Sequence, residues 1–428
     1  MGVLSPAPPP DARAVERVRQ STRISAASSV ALRSRSGGSL RAAGFTLPGP
    51  GYAWSALWLN VMAFLGTSLI PIPGAVGQLI TQGALPLALF LALMANPRGI
   101  VRPNLVLILI TLMALAAFLA SLYNEFFFGS LYRGVRLMGF VTVLWLLTRW
   151  WGVPEMPLLK AHLKVLRVVV GTIIAGAVVY WPGAHNDEGR LIGTLWPVPA
   201  PQVGHYGAML FGLTAVLWFT GKVSRRTMLI TFVASIYCLL DSHTRTALAG
   251  MLVGLVIAGA SLFIGHARVR RTAAVTVILV GFVGALFAPY ILLWLSRGQT
   301  AEDATQLTGR TKVWSMVVNQ DRPWLNQVFG NGLSNKSFNG LPIDSNWVAT
   351  YYDQGIFGAA LIVTFLLTLV MMALTRPQGP RRAIALFILT YCIVASFTET
   401  GLGDASPYLL DITVACSALA SRPRTAMT

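Results

Sequence analysis

Arg310 stands in the run LTGRTKVWSMVVNQ, where Thr308 has the residue type and place of an N-cap. The helix it would open runs from Gly309 to about Gln320, with Val313, Trp314, Val317 and Val318 on one face. A cation in the first turn opposes the helix dipole. The opposition vanishes if an anion docks there, because the free N–H groups, the dipole and the guanidinium then converge on one phosphate. The plain alternative is a surface arginine at a helix start. Arg190, in HNDEGRLIGTLWP, and Arg245, in DSHTRTALAG, are further cations of the same kind. Arg245 opens an apolar stretch, where a mid-membrane guanidinium would cost about 2.5–3.5 kcal/mol on insertion scales. The ordinary expectation for it is snorkelling to the interface and pairing with Asp241. Downstream, in Asp344-Ser345-Asn346, Asp344 could take a proton from a hydroxyl and Asn346 could orient that hydroxyl. The same three residues also read as a common helix N-cap. Ser345 and His243 are the other candidates for proton transfer, and Lys312 and His205 join Asn346 as candidates to orient a substrate.

These groups need a frame, and the sequence supplies one of apolar helices. Its 428 residues are 55% hydrophobic and 11% charged, with mean hydropathy +0.64, which lies outside the range of soluble globular chains. Apolar windows long enough to cross about 30 Å of hydrocarbon recur, whereas a closed barrel would show short alternating segments. The fold class expected is all-α, a polytopic transmembrane helical bundle. Its spans fall at about 53–71, 76–96, 104–121, 131–150, 163–183, 201–220, 226–241, 246–264, 272–295, 346–375, 383–399 and 405–420, twelve in all. The last is short and interrupted by Pro407 and Asp411. One large extracytoplasmic loop, residues 296–345, separates the ninth span from the tenth, and Gly330 and Gly332 in FGNG let it fold back. Pro197, Pro199 and Pro201 make a rigid entry to the sixth span.

Cytoplasmic connections retain Lys and Arg. With the N-terminus inside, the inner connections collect Arg98 and Arg102, Arg149 with Lys160 and Lys164, Lys222 with Arg225 and Arg226, Arg268 with Arg270 and Arg271, Arg376 with Arg381 and Arg382, and Arg422 with Arg424. The outer ones carry most of the acids, among them Glu125, Asp187, Glu188, Asp241, Glu302, Asp303, Asp321, Asp344, Glu399 and Asp404. The expectation is a multi-pass protein of the cell inner (plasma) membrane with both termini cytoplasmic. Residues 1–50, rich in Pro, Ser, Ala and Arg, read as a disordered basic cytoplasmic tail on a transmembrane domain of residues 51–428. The arm is Arg-rich and acid-poor like an organelle transit peptide, but lacks the regions of a secretory signal.

A net charge of +18 and a pI near 10.6 would suit nucleic acid, but the basic residues are spread over inner connections and the arm, as insertion and contact with anionic lipid require. No nucleic-acid partner is expected. Cys238, Cys392 and Cys416 fall in apolar spans without metal or disulfide spacing. The chain holds no HExxH, CxxC, Walker-type glycine loop or GxSxG, so neither a metal nor any other cofactor is expected.

In order, RLIGTLWPVPAPQVGHYGAML, DSHTRTALAGMLVG, LTGRTKVW, FGNGLSN and DSNWVATYYDQGIFGAAL cover roughly residues 185–375. In that order and spacing the chain resembles the O-antigen ligase and polymerase family, membrane enzymes that transfer a glycan from a polyprenyl diphosphate carrier. The resemblance implies a metal-independent, inverting glycosyltransferase whose partners are a polyprenyl-diphosphate-linked glycan, an acceptor glycan or glycolipid, and membrane lipid. It implies that Arg190, Arg245 and Arg310 hold the diphosphate. Family members commonly carry a His-Asn pair at the end of the large loop, the His activating the acceptor hydroxyl; here the pair is Ser345-Asn346. Serine is a poor general base, so the role would pass to Asp344 or His243, or to no residue.

Twelve spans with both ends inside is also a common count for secondary transporters. Such proteins keep ionisable groups near mid-membrane, whereas the acids here cluster at the outer ends of the spans. A relative that binds the lipid-linked glycan without catalysis is a third reading.

Overall fold

The computed structural model describes residues 49–64, 72–124, 126–296 and 310–421. Residues 1–48 of the basic arm, together with Glu125, Glu302, Asp303, Thr308, Gly309, Arg422 and Arg424, lie outside the described residues.

The described chain is mostly helical. Its helices are α1 Pro50–Val61, α2 Gly74–Ala95, α3 Leu105–Ser121, α4 Phe127–Leu147, α5 Pro157–Val179, α6 Ala200–Phe219, α7 Arg225–Asp241, α8 Arg245–Leu262, α9 Ala267–Ser296, α10 Arg310–Val318, α11 Trp324–Phe329, α12 Asn346–Thr375, α13 Pro380–Ala395 and α14 Pro407–Leu419. Strand among the described residues is confined to a hairpin, β1 Ser337–Phe338 with β2 Leu341–Pro342. Asn339 and Gly340 join its strands with φ of 50° and 77°, the two positive values that an Asn-Gly hairpin turn requires.

Every apolar window of the sequence holds a helix, with shifted ends. α1 stops at Val61 and α13 at Ala395, so Glu399 stands in a connection and not in a helix. Among the described residues, five segments are long and apolar enough to cross a membrane: Gly74–Ala95, Phe127–Trp150, Pro157–Val179, Arg245–Leu262 and Asn346–Thr375. Leu105–Ser121 and Pro407–Leu419 are apolar but shorter.

α14, the short segment interrupted by Pro407 and Asp411, is buried at every residue from Pro407 to Leu419. Pro407 sits in the first turn, where its missing N–H is no loss, and the Ser406 hydroxyl accepts from Leu409 N–H. The broadest helix contact joins α8 to α13. Gly250 and Gly254 of α8 allow it: a Cβ at Gly254 would lie 3.0 Å from the Phe387 carbonyl oxygen. Leu79, Phe90, Val178, Val256, Ile278 and Leu367 point outward and exposed, the surface that hydrocarbon and not water would accept.

Connections gather at two ends of the bundle. At one end the Trp196 indole donates to the Ala63 carbonyl, Arg190 Nε to Ser242 O, and Asn346 N–H to Ser396 O. At the other, Gly152 N–H donates to Ser417 O, Arg381 to Gly152 O and Arg376 to Leu419 O. The first end carries the polar cleft.

Candidate functional site

Val313 and Val317 of α10 are buried with Ile343 and Ala349 in a small apolar cluster of their own. Trp314 is half-buried and Val318 exposed, so the expected apolar face narrows to the two valines. This packing lays the first turn of α10 beside the start of α12. Arg310 Nε reaches Asp344 Oδ2 at 3.2 Å, with both side chains partly open to solvent.

α12 begins with Ser345 in the N-cap place, extended and buried, but its hydroxyl does not cap the helix. The next residue, Asn346, ties α12 to the connection after α13: its Oδ1 accepts from Leu402 N–H at 2.9 Å and Gly401 N–H at 3.3 Å. The Asn346 Nδ2 is buried with no hydrogen-bond partner among the described residues. A second tie holds the same connection from the other side, since Thr398 Oγ1 lies 2.7 Å from Thr246 Oγ1 in the first turn of α8. Glu399 is pinned between these two anchors, and its N–H donates to Ala395 O.

Two of the three candidate arginines act electrostatically on this one group. Burial pushes the Glu399 carboxyl up to about 7; Arg310 pulls it down, Asp344 pushes it up, and Arg190 pulls it down. Arg190, Arg310 and Asp344 are therefore all within electrostatic reach of Glu399. Arg190 is itself positioned by the Ser242 carbonyl, 3.0 Å from its Nε, and by Glu188 at 3.4 Å.

Glu399 lines a cavity of about 380 Å³ with Asn60, Gln82, Tyr132, Arg136, Gln202, Lys336, Asp404 and Tyr408. Its walls are mostly hydrogen-bonding side chains, suited to a polyhydroxylated ligand. Arg136 is fixed there, donating from Nε to Asn60 Oδ1 at 3.2 Å and from Nη2 to Asn60 O at 2.7 Å. Lys336 forms an ion pair with buried Asp353. Burial works against the Lys336 charge, but Asp353 and then Asp404 hold its ammonium above the ordinary value.

The fold-back at FGNG places Lys336. Gly330 and Gly332 both have φ of 84°, and a Cβ at Gly330 would lie 2.2 Å from the Asp353 carbonyl oxygen. Gly332 N–H donates to that carbonyl at 2.9 Å, and α12 breaks its helical backbone two residues on, at Gly355 with φ of 66°. The loop thus docks into a kink in the helix.

The remaining sequence candidates fall elsewhere or at the margin. Arg245 opens α8 next to Thr246, while Asp241, its expected partner, has its Oδ2 3.0 Å from His185 Nε2. His243 has positive φ, places Nδ1 3.0 Å from Asp241 O and stacks on Trp294. Lys312 is exposed on α10. His205 is buried inside the bundle: its Nε2 lies 2.9 Å from Asp411 Oδ2, and its Nδ1 lies 2.9 Å from the Tyr391 hydroxyl. The other Asp411 oxygen is 3.0 Å from His162 Nε2. The Trp58 indole, a donor only, points at His162 Nδ1 at 3.3 Å, so the ring proton of neutral His162 sits on Nε2, toward Asp411.

Sequence reasoning therefore missed Glu399 as a site residue, and it named His205 and Asp411 without joining them, with His162, into one cluster. Glu399 was visible as an acid near the end of a span. An Asp within one apolar helix and a His within each of two others was the available signal for the cluster. Among the described residues no group of three or more His, Cys, Asp and Glu side chains could hold a metal. The chain matches no protein-family model and no curated protein.

Proposed function

We propose that the protein is a glycosyltransferase of the plasma membrane, with twelve spans and both termini in the cytoplasm. It moves a glycan from a polyprenyl diphosphate carrier to an acceptor hydroxyl at the outer face, so polymerising or attaching a polysaccharide. Arg190 and Arg310 both act electrostatically on Glu399, which lines a polar cavity, and that observation carries this reading. The lipid tail lies along the apolar bundle and its diphosphate meets the two guanidinium groups, with Arg245 adjacent. Each charge-assisted hydrogen bond contributes about 1.5–3 kcal/mol. Arginines that meet the charge on the departing diphosphate are arranged as electrostatic catalysis requires. The connections that carry Arg190, Arg245, Arg310 and Asp344 all fall on the acid-rich, outer side of the orientation derived from Lys and Arg. Purified protein given a lipid-linked repeat unit is expected to yield a glycan ladder, and Arg310→Ala to abolish it. A full ladder from that variant removes Arg310 from the reaction.

One observation favours a second reading, proton-coupled transport: Asp411 is wholly buried within the bundle between two imidazoles. Solute uptake into proteoliposomes that depends on a proton gradient, with no glycan product, would support it over glycan transfer.

A further inference from the structure

The proposed transfer needs a group to take the acceptor proton, and none of the three residues that sequence reasoning offered is well placed for it. Asp344 is committed to Arg310 at 3.2 Å and does not line the cavity. Ser345 is buried in the N-cap position of α12, and a hydroxyl is a weak base. His243 stacks on Trp294.

The acids along the cavity wall differ in their commitments. Asp404 accepts from Ala405 N–H at 2.7 Å and lies close enough to Lys336 to raise its charge preference. Glu399 lines the same cavity, yet its carboxylate makes no hydrogen bond or ion pair among the described residues. Two lone-pair-bearing oxygens are thus held at a cavity wall by a backbone tied down at Asn346 and at Thr246. Arg310 and Arg190 stand within electrostatic reach, so the charge left on Glu399 when it is ionised has cations near it.

We propose that Glu399 is the general base of the transfer and that the cavity it lines is the subsite for the acceptor sugar. This rests on the glycan-transfer reading above. The acceptor hydroxyl enters the cavity, where Gln82 and Gln202 offer amide hydrogen bonds to the other hydroxyls of the ring. Its proton passes to a Glu399 carboxylate oxygen as its oxygen bonds to the anomeric carbon of the donor. The bond from that carbon to the diphosphate oxygen breaks, and the electron pair leaves on the diphosphate, facing Arg190 and Arg310. No oxidant, reductant or metal enters the balance. Glu399 ends protonated and returns its proton to water through the cavity mouth.

The experiment compares Glu399→Gln, Glu399→Asp and Arg310→Ala with the wild type in detergent, measuring transfer from a lipid-linked repeat unit and, separately, binding of undecaprenyl diphosphate. Glu399→Gln is expected to lower the transfer rate by about 10²–10⁴-fold, the usual share of general base catalysis, with carrier binding unchanged. Glu399→Asp should recover part of the rate. The wild-type rate should rise with pH through about 7, and the residual rate of Glu399→Gln should lack that rise. Arg310→Ala should instead lose carrier binding. A Glu399→Gln rate within threefold of wild type, or the same pH rise in that variant, overturns the assignment while leaving glycan transfer standing. A wild-type protein that binds the carrier and transfers nothing overturns both. Infrared difference spectra guard against misfolding as the explanation: a protonated carboxyl band that titrates in wild type and is missing from Glu399→Gln supports the assignment. A band unaltered in that variant contradicts it.

Discussion

Arg310 Nε stands 3.2 Å from Asp344 Oδ2, across a separation of 34 residues. The pair locks the first turn of α10 to the residue that precedes the N-cap of α12. Both members act on Glu399 with opposite signs, so each should shift its proton affinity in a known direction.

Asp344→Asn removes a negative charge that pushes Glu399 up, and Arg310→Gln removes a positive charge that pulls it down. The Glu399 titration should therefore move below about 7 in the first variant and above it in the second. Infrared titration of the carboxyl band reads both shifts. Identical midpoints in the two variants would disprove the coupling.

Glu399 also makes stability depend on pH. Its carboxyl rises from an ordinary 4.5 to about 7 on folding, so the folded chain holds the proton more firmly than the unfolded one. The stabilisation is complete below about 4.5 and is lost as pH rises through about 7. Above that range the partly buried charge weighs against the fold by at most about 3 kcal/mol, at 1.36 kcal/mol per pKa unit and less with solvent screening through the cavity. Glu399→Gln should thus unfold at a higher temperature than wild type at pH 8, and the gap should close near pH 4. A gap of constant size across that range counts against a buried, titrating Glu399.

Asn346→Ala should strand the Gly401 and Leu402 N–H groups without their shared acceptor, at about 1–3 kcal/mol. Asn346→Asp keeps the acceptor and should keep most of the stability. Thermal unfolding of the two variants in one detergent tests this; equal losses would mean that the side-chain oxygen is not what holds the connection.

Asp411→Ala leaves two buried imidazoles without their common carboxylate. Breaking a buried pair of this kind costs roughly 3–5 kcal/mol. A double-mutant cycle between His162→Ala and Asp411→Ala should give a coupling of about 1 kcal/mol or more. Additive losses would show that the cluster does not act as a unit.

Gly330→Ala asks a side chain to adopt φ of 84° with its Cβ 2.2 Å from the Asp353 carbonyl oxygen. The loop should detach from the α12 kink, and limited proteolysis between α11 and α12 should quicken several-fold. Gly340→Ala is the control, because nothing lies within 4 Å of its Cβ although its φ is also positive. Equal cleavage of the two variants would argue against docking through Gly330.

Much of the scaffold is legible in one dimension. A long run of apolar residues must bury its backbone polar groups within itself, and a helix does so locally, which is why each window holds one. Their ends are less legible: α13 stops at Ala395 because the turn of residues 396–398 is held by Asn346 and Thr246, neither adjacent in sequence. The turn at FGNG is legible too, since positive φ points to glycine. Its partner, the kink at Gly355, is not, because Gly355 lies in an otherwise unbroken apolar helix.

The order of residues by itself determined an all-helical, strongly apolar chain, the positions of its helices and the set of arginines and acids near their ends. Only the tertiary structure decided which of those groups share a site. Glu399 joins Arg190 and Arg310, whereas His205 turns inward to Asp411. The physical reason is that hydropathy is a property of each segment alone. Proximity of charges depends on how helices lean and how connections are anchored, through contacts between residues far apart in the chain.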